Sequence, residues 1–187
     1  MAVANTLDAI VICSVAFATR LFIALVLVTA AIHKLRTRLE FEGIVAQYQL
    51  MPKGSESLLS WLIPTFELLI GFALLALSQL GALLAAGLLA AYAFAIGINL
   101  RRGRQHIDCG CGGESTPLSA ALVWRNLVLI ALLLTSFLPA GGDQLSNSSL
   151  ILSWTLAAGM GALYLCFNQL QVNAGTYRRL WLGEQQG

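Results

Sequence analysis

Two adjacent apolar stretches decide the fold: LLSWLIPTFELLIGFALLAL at residues 58–77 and GALLAAGLLAAYAFAIGINL at residues 81–100. A helix needs about 20 mostly apolar residues to cross the hydrocarbon core of a bilayer, and each stretch has that length. Only three residues separate the two stretches. We therefore predict that they form a tight antiparallel hairpin of transmembrane helices.

Three further stretches qualify as membrane spans when an occasional charge is admitted. They cover residues 9–32, 118–138 and 150–167. The sequence thus predicts an all-α integral membrane bundle of about five transmembrane helices, forming a single membrane domain over residues 1–187.

Composition supports a membrane protein over a soluble one. Hydrophobic residues make up 58% of the chain and charged residues 11%, whereas an ordinary soluble domain has roughly a quarter of its residues charged. The net charge is only +2, and no basic stretch interleaved with aromatic residues predicts nucleic-acid binding. No Lys or Arg precedes the first apolar stretch, so we interpret that stretch as a retained span and not as a secretory signal.

The segment 36–50 between the first two spans carries apolar residues at roughly helical spacing, with basic residues around it. Two interpretations are equally supported. One is a short amphipathic helix lying in the membrane interface. The other is a plain connecting helix that packs on the bundle. In either case Met51-Pro52 ends the helix, because proline disfavours helical geometry in the residue before it.

Lys and Arg cluster in the loops after the first and third spans and in the C-terminal tail, whereas the loops after the second and fourth spans have none. The positive-inside rule places such clusters in the cytoplasm. We expect a multi-pass protein of the cell inner membrane with its N-terminus outside.

The candidate chemical site is the stretch HIDCGCGG at residues 106–113. Cys109 and Cys111 can close only a small disulfide ring, and strained disulfides are readily reduced and are typical of labile or catalytic sites. Three arginines close by would favour the thiolate, which is the nucleophile. The sequence therefore favours a thiol–disulfide exchange centre in which His106 or Asp108 handles protons. The nearby arginines are Arg101, Arg102 and Arg104.

Two other interpretations of this loop remain open. His106, Cys109 and Cys111 are suitable zinc or copper ligands, although a closed structural site usually has four. Alternatively, the loop is a glycine-rich turn with inert cysteines. The two cysteines within spans, Cys13 and Cys166, are expected to pack as small hydrophobes, and a resolving thiol is the alternative for Cys166.

Three charges fall inside the predicted spans: Arg20, Glu67 and Arg125. Charges in the hydrocarbon are costly and usually face the interior of the bundle. At 1.5 Å per residue the three reach comparable depths, so we predict that Glu67 pairs with one or both arginines. Such a network either only fixes the helix register or also handles protons.

The chain resembles the MauE family of methylamine utilisation membrane proteins, within the DoxX-like group of small helical bundles. The resemblance implies a four-helix DoxX-like core and covers about residues 20–126. Its most specific part is the Asp-Cys-Gly-Cys-Gly run that follows an Asn-x-x-Arg-Gly turn. The residues that carry it are His33-Lys34-Leu35, Phe41, Tyr48, Pro52, Pro64, Glu67, Gly71, Asn99, Arg102-Gly103, Asp108-Cys109-Gly110-Cys111-Gly112 and Trp124-Arg125-Asn126.

The resemblance implies a function in maturation, processing or transport of the methylamine dehydrogenase small (beta) subunit, an exported, disulfide-rich client. It also implies a thioredoxin-like partner of the MauD type, beside the lipid bilayer itself. On this basis we expect a thiol–disulfide oxidoreductase with no resident cofactor, a quinone or a metal ion being the alternatives. A non-catalytic membrane scaffold or chaperone, and a metal carrier or transporter, are the competing function classes.

These expectations conflict over the side on which the loop reacts. Maturation of an exported protein favours the outer side, whereas the positive-inside rule places Cys109 and Cys111 at the cytoplasmic end. The conflict disappears if the topology is inverted, if a quinone or a mobile loop reaches the pair from within the membrane, or if electrons cross the membrane from a cytoplasmic thioredoxin.

Overall fold

The computed structural model describes residues 2–76, 79–110, 116–137 and 147–184. Within these ranges the chain forms six α-helices and no strand, and a short 3-10 turn at Thr135–Phe137 follows the fifth helix. The helices are α1 (Ala2–Arg36), α2 (Arg38–Tyr48), α3 (Glu56–Leu75), α4 (Gln79–Arg101), α5 (Ala120–Leu134) and α6 (Asn147–Glu184). Five of them, α1 and α3 to α6, contain a stretch long and apolar enough to cross a membrane, which confirms the predicted all-α fold.

Two helices continue several residues past the C-terminal ends of the spans predicted for them. α1 continues to Arg36 and α6 continues to Glu184, whereas the predicted spans ended at residues 32 and 167. Hydropathy marks where a chain leaves the hydrocarbon, but a helix ends only where backbone geometry or capping stops it. Polar residues such as Gln169 and Asn173 continue α6, because no proline interrupts them.

Helix α1 is the centre of the bundle and packs against α3, α5 and α6. Its buried face carries Ala18, Ile23, Ala24, Leu27 and Ala31. The small residues on this face bring neighbouring helices close, and in lipid such close packing is the main source of helix association.

The predicted hairpin is formed by α3 and α4, which pack against each other. The crossing depends on Gly81: a Cβ atom at that position would lie 2.7 Å from the backbone carbonyl carbon of Ala73. That distance is shorter than any van der Waals contact, so only glycine fits without a shift of one helix.

The amphipathic helix α2 packs on α3 and, more sparsely, on α1. Phe41 is buried, whereas Leu39 on the other side is 76% exposed. The guanidinium group of Arg38 lies 5.2 Å from the centre of the Trp61 ring on α3. The packing of one face on the bundle confirms the interpretation as a connecting helix, and a location of the exposed face in the membrane interface remains a prediction.

The end of α2 and the end of α4 meet at the same end of the bundle. Arg102 donates a hydrogen bond to the carbonyl oxygen of Gln49 at 3.4 Å, and Arg104 donates one to the Gln49 side chain at 2.6 Å. Gln49 adopts the left-handed backbone conformation that ends α2. The basic clusters after the first and third spans thus share one end, as predicted, and the assignment of that end to the cytoplasm remains a prediction.

Candidate functional site

The cysteine loop connects α4 to α5 and is tied into a short antiparallel turn. Asp108 and Pro117 form an isolated β-bridge. The amide of Cys109 donates to the carbonyl of Thr116 at 2.9 Å, and the amide of Leu118 donates to the carbonyl of Ile107 at 3.0 Å. Ile107 is buried among apolar residues of α4 and α5. These bonds fix the position of Cys109 even though the chain around it is irregular.

Cys109 is disulfide-bonded and only 9% exposed. Cys111, the other cysteine of the predicted pair, lies outside the described residues. Cys13 and Cys166 are free thiols, and Cys166 is exposed on α6. The disulfide at Cys109 agrees with the thiol–disulfide interpretation of the loop, while its exchange activity remains a prediction.

The residues next to Cys109 hold the turn in place. The carboxylate of Asp108 accepts a hydrogen bond from the amide of Gly110 at 2.9 Å. Gly110 has a φ of 68°, a conformation that glycine adopts at little cost. Asp108 is thus engaged in the turn, whereas His106 is exposed on the surface. Neither arrangement tests their predicted role in proton transfer.

Helix α2 covers the loop. A Cβ atom added to Gly110 would lie 3.2 Å from Ile44 and 3.3 Å from the ring of Phe41. The phenol of Tyr48 donates a hydrogen bond to the carbonyl oxygen of Cys109 at 3.2 Å. Burial, and secondly the negative charge of Asp108, raise the pKa of Tyr48 above its ordinary range. The phenol therefore stays protonated and keeps its ability to donate.

Arg125, on the first turns of α5, lies near the sulfur of Cys109. Its Nη2 atom lies 4.0 Å from the Sγ atom of Cys109, and its Nη1 atom donates to the side chain of Asn168 on α6 at 3.0 Å. The guanidinium group also lies 5.6 Å from the centre of the Tyr164 ring. Two residues of α6 thus orient a cation toward the disulfide.

A second polar centre lies beneath α2. The ammonium group of Lys34 forms an ion pair with Glu67, and both side chains are almost fully buried. The phenol of Tyr92 donates to the same carboxylate oxygen at 2.6 Å. Phe41 separates this triad from the cysteine loop, because its ring lies 5.3 Å from the Lys34 nitrogen and also faces Gly110.

The predicted pairing of Glu67 with Arg20 or Arg125 is wrong. In the described part of the chain the ion-pair partner of Glu67 is Lys34, while Arg20 donates to the carbonyl of Ser136 at 2.9 Å. The error came from ending the first span at residue 32, which left Lys34 in a loop. Because α1 continues through Lys34, this residue belongs to the helix and its side chain is buried.

The sequence contains a signal for this partner that the hydropathy count missed. Leu27, Ala31 and Lys34 follow one another at intervals of four and three residues, the spacing that places side chains on one helix face. Leu27 and Ala31 are buried, so a helix extended by one turn brings Lys34 onto the buried face.

Only two of the three predicted metal ligands lie among the described residues. Among the described residues no three His, Cys, Asp or Glu side chains lie together in a group that fits a metal ion. Cys111, one of the three candidate ligands, is outside those residues. Of the two described candidates, His106 is exposed and Cys109 is in a disulfide.

Comparison with known proteins identifies the family. The family model for methylamine utilisation protein MauE matches residues 12–139, which include most of α1, all of α2 to α5 and the whole cysteine loop. The chain belongs to the MauE family. This confirms the resemblance predicted from the Asp-Cys-Gly-Cys-Gly run. No solved structure matches the chain.

Individual MauE relatives support the assignment. The chain is 44% identical over 121 residues to a methylamine utilization protein MauE of Methylophilus methylotrophus, a match that covers 64% of each chain. It is 41% identical over 124 residues to that of Paracoccus denitrificans, covering 64% of this chain and 67% of the relative. The Paracoccus versutus relative matches over 162 residues at 37% identity, covering 79% and 87%. The chain therefore spans about two thirds of the length of the first two relatives.

Proposed function

We propose that this MauE-family protein is a membrane thiol–disulfide relay that acts in methylamine utilisation. The observation that carries the proposal is the disulfide at Cys109, held beside the Arg125 cation and beneath α2. A purely structural disulfide needs no cation at its sulfur. A cation at that position favours the thiolate that forms when the bond is reduced.

The proposal extends to a membrane, a partner and a client. The protein would sit in the inner membrane and exchange thiols with a thioredoxin-like protein of the MauD type. The final acceptor would be an exported, disulfide-rich protein such as the methylamine dehydrogenase small subunit. Support comes from the family, from the five helices able to span a membrane and from the redox-capable loop. Cys109 and Cys111 would exchange thiols, with Asp108 and His106 nearby as proton-handling groups.

Thiol trapping in living cells tests the relay. The variant Cys13→Ser/Cys166→Ser keeps only the loop pair. Spheroplasts and inverted vesicles from these cells, which present opposite faces of the membrane, are treated with a mass-adding, membrane-impermeant maleimide, with and without prior addition of a permeant reductant. We expect the pair to resist labelling until it is reduced. Free labelling in every condition would mean that the pair does not form a disulfide in cells, and a scaffold role would then replace the relay.

A matched control identifies the reacting side. Lys53 is exposed in the connection between α2 and α3, at the same end of the bundle as the loop. The substitution Lys53→Cys in a chain without other cysteines gives a permanently free thiol there. Comparison of spheroplasts with inverted vesicles then shows the side of this end, and the loop pair must respond on the same side.

A further inference from the structure

Helix α2 is a short element with a bend in the chain at each end. Thr37 separates it from α1, and the backbone of Thr37 departs from helical geometry. The connection that follows α2 contains Gly54, which has a φ of 95°. The helix has 11 residues and packs only sparsely on α1. The chain on either side of α2 can therefore bend, and the helix can move as a unit.

The two ends of α2 make different contacts. Near its start, the guanidinium group of Arg38 stacks on the ring of Trp61 in α3. Near its end, Ile44 packs toward the cysteine loop, and the phenol of Tyr48 donates to the carbonyl oxygen of Cys109. Cys109 beneath this end is only 9% exposed. A movement of the far end of α2 would thus uncover Cys109 while the start of the helix stays on α3.

Gln49, the residue that ends α2, fastens this far end to the bundle. Its side-chain oxygen accepts a hydrogen bond from Arg104 at 2.6 Å. Its carbonyl oxygen accepts a longer one, 3.4 Å, from Arg102. Both arginines follow or end α4, the helix that leads into the cysteine loop. The two bonds therefore tie the moving end of α2 to the segment that carries Cys109.

The backbone of Gln49 is strained. Its φ is 48°, and among the residues that the structure describes no other non-glycine residue has a positive φ. The residue that ends a helix in this conformation is usually glycine, because a Cβ atom there meets the following carbonyl group. Residues held in such conformations persist where neighbouring groups fix them, and they are frequent at switch regions. What a glutamine adds here, and a glycine would not, is the bond to Arg104.

We propose that α2 is a gate over the Cys109 sulfur, that it pivots at Thr37, and that Gln49 is its latch, held closed by the two arginines at the end of α4. The inference rests on the proposed relay function and deepens it, because it states how the buried sulfur becomes accessible for exchange. In the closed gate Ile44 and Tyr48 cover the loop, and release of the latch lets both side chains leave it. Gln49 contacts none of the reacting atoms and is a positioning residue.

The reactivity of Cys109 as the only cysteine tests the latch. The purified full-length chain carries Cys13→Ser, Cys111→Ser and Cys166→Ser and reacts with 5,5′-dithiobis(2-nitrobenzoate), a bulky disulfide probe. We expect Gln49→Ala to raise the reaction rate about tenfold, because a hydrogen bond to a charged group stabilises the closed gate by about that factor. Arg104→Ala, which removes the other half of the latch, should raise it similarly. Gln47→Ala shortens an exposed glutamine of the same helix and should leave the rate unchanged. Equal rates for Gln49→Ala and Gln47→Ala would overturn the latch.

Two further measurements distinguish gate opening from a general loosening of the bundle. Gln49→Gly removes the same side chain but relieves the left-handed backbone. It should therefore lose less thermal stability than Gln49→Ala while raising the rate of Cys109 as much. Backbone hydrogen exchange should become faster in α2 and stay unchanged in α3 and α4, as expected for a local opening. A rate that rises only in proportion to the lost thermal stability, with faster exchange in every helix, would overturn the gate.

The chain that retains only Cys109 forms no loop disulfide, so these measurements do not depend on the relay. Latch variants without effect, beside a loop pair that resists maleimide labelling until it is reduced, refute the gate alone. Free labelling of the pair in every condition, beside latch variants that expose Cys109, refutes the relay and leaves the gate in place.

Discussion

The ammonium group of Lys34 lies 5.3 Å from the centre of the Phe41 ring, and the same ring also faces Gly110 in the cysteine loop. One side chain of α2 therefore contacts both polar centres of the protein. Above the ring is a disulfide held by hydrogen bonds, and below it is a buried ion pair. Loss of charge balance beneath Phe41 would disturb the surface on which the loop rests.

The Lys34–Glu67 ion pair gives the first prediction. Glu67→Gln keeps an acceptor for Tyr92 but leaves the Lys34 cation buried without its counter-charge. Breaking a buried pair in this way typically costs about 3–5 kcal/mol. We expect a corresponding fall in thermal stability of the detergent-solubilised protein, followed by circular dichroism.

Two further variants show whether the loss of stability comes from the buried ion pair. Glu42→Gln breaks the partly exposed pair between Arg38 and Glu42, whose charged atoms are 3.7 Å apart, and such pairs contribute only about 0.3–0.5 kcal/mol. The double variant Lys34→Met/Glu67→Leu removes both buried charges and should recover most of the stability lost by Glu67→Gln. If Glu67→Gln were as mild as Glu42→Gln, the ion pair would not stabilise the bundle.

The Lys34–Glu67 pair also shows which features of the structure could be predicted from the sequence and which could not. Length, apolarity and the tight connection between α3 and α4 were enough to predict the all-α five-span bundle, since membrane spans obey a simple length rule. The partner of Glu67 was missed because it depends on where α1 ends, and a helix end is decided by a few local interactions. The approach of Arg125 to Cys109 depends on the packing of α5 and α6 against a loop, which a single sequence does not encode by spacing.

The contact of α2 with the loop could not be predicted from the sequence for the same reason. Ile44 and Tyr48 were recognised as part of an amphipathic helix, but nothing in their spacing indicates which surface that helix meets. The distance along the chain from Tyr48 to Cys109 leaves many arrangements open. The folded bundle selects the one in which α2 lies over the loop.

The close approach of α3 and α4 gives a second prediction. Gly81→Ala would place a Cβ atom 2.7 Å from the Ala73 backbone, so the helices must separate and the hairpin should lose stability by about 1–3 kcal/mol, as overpacked sites usually do. Gly87→Ala in the same helix is the control, because nothing lies within 4 Å of a Cβ atom there. It should be neutral or stabilising by about 0.5–1 kcal/mol. Thermal unfolding of both variants checks this, and equal effects would show that the crossing tolerates a methyl group.

The phenol of Tyr48 gives a prediction about alkaline pH. Burial and the charge of Asp108 raise the pKa of Tyr48 in the folded protein above the value of about 10 found in unfolded chains. A raised pKa contributes stability that is fully present below the unfolded value and is lost as pH rises through the folded one. Above about pH 10, the thermal stability of the wild-type protein should therefore fall more steeply with rising pH than that of Tyr48→Phe. If the thermal stabilities of the wild-type protein and of Tyr48→Phe change with pH in the same way, the phenol is not shielded by the fold.

The fit of α2 over the cysteine loop gives the last prediction, for which the chain supplies its own control. Gly110 and Gly103 have nearly the same left-handed backbone, with φ values of 68° and 72°. An alanine in this conformation costs about 1–2 kcal/mol at either position. Only at Gly110 would the new methyl group also press on α2, 3.2 Å from Ile44, since nothing lies within 4 Å at Gly103. Gly110→Ala should thus lose more thermal stability than Gly103→Ala. It should also make the Cys109 sulfur more accessible to a bulky disulfide probe in chains that lack the other cysteines, because α2 is pushed away from the loop. If both variants lose the same stability and Cys109 reacts at its original rate in each, α2 does not restrict access to the disulfide.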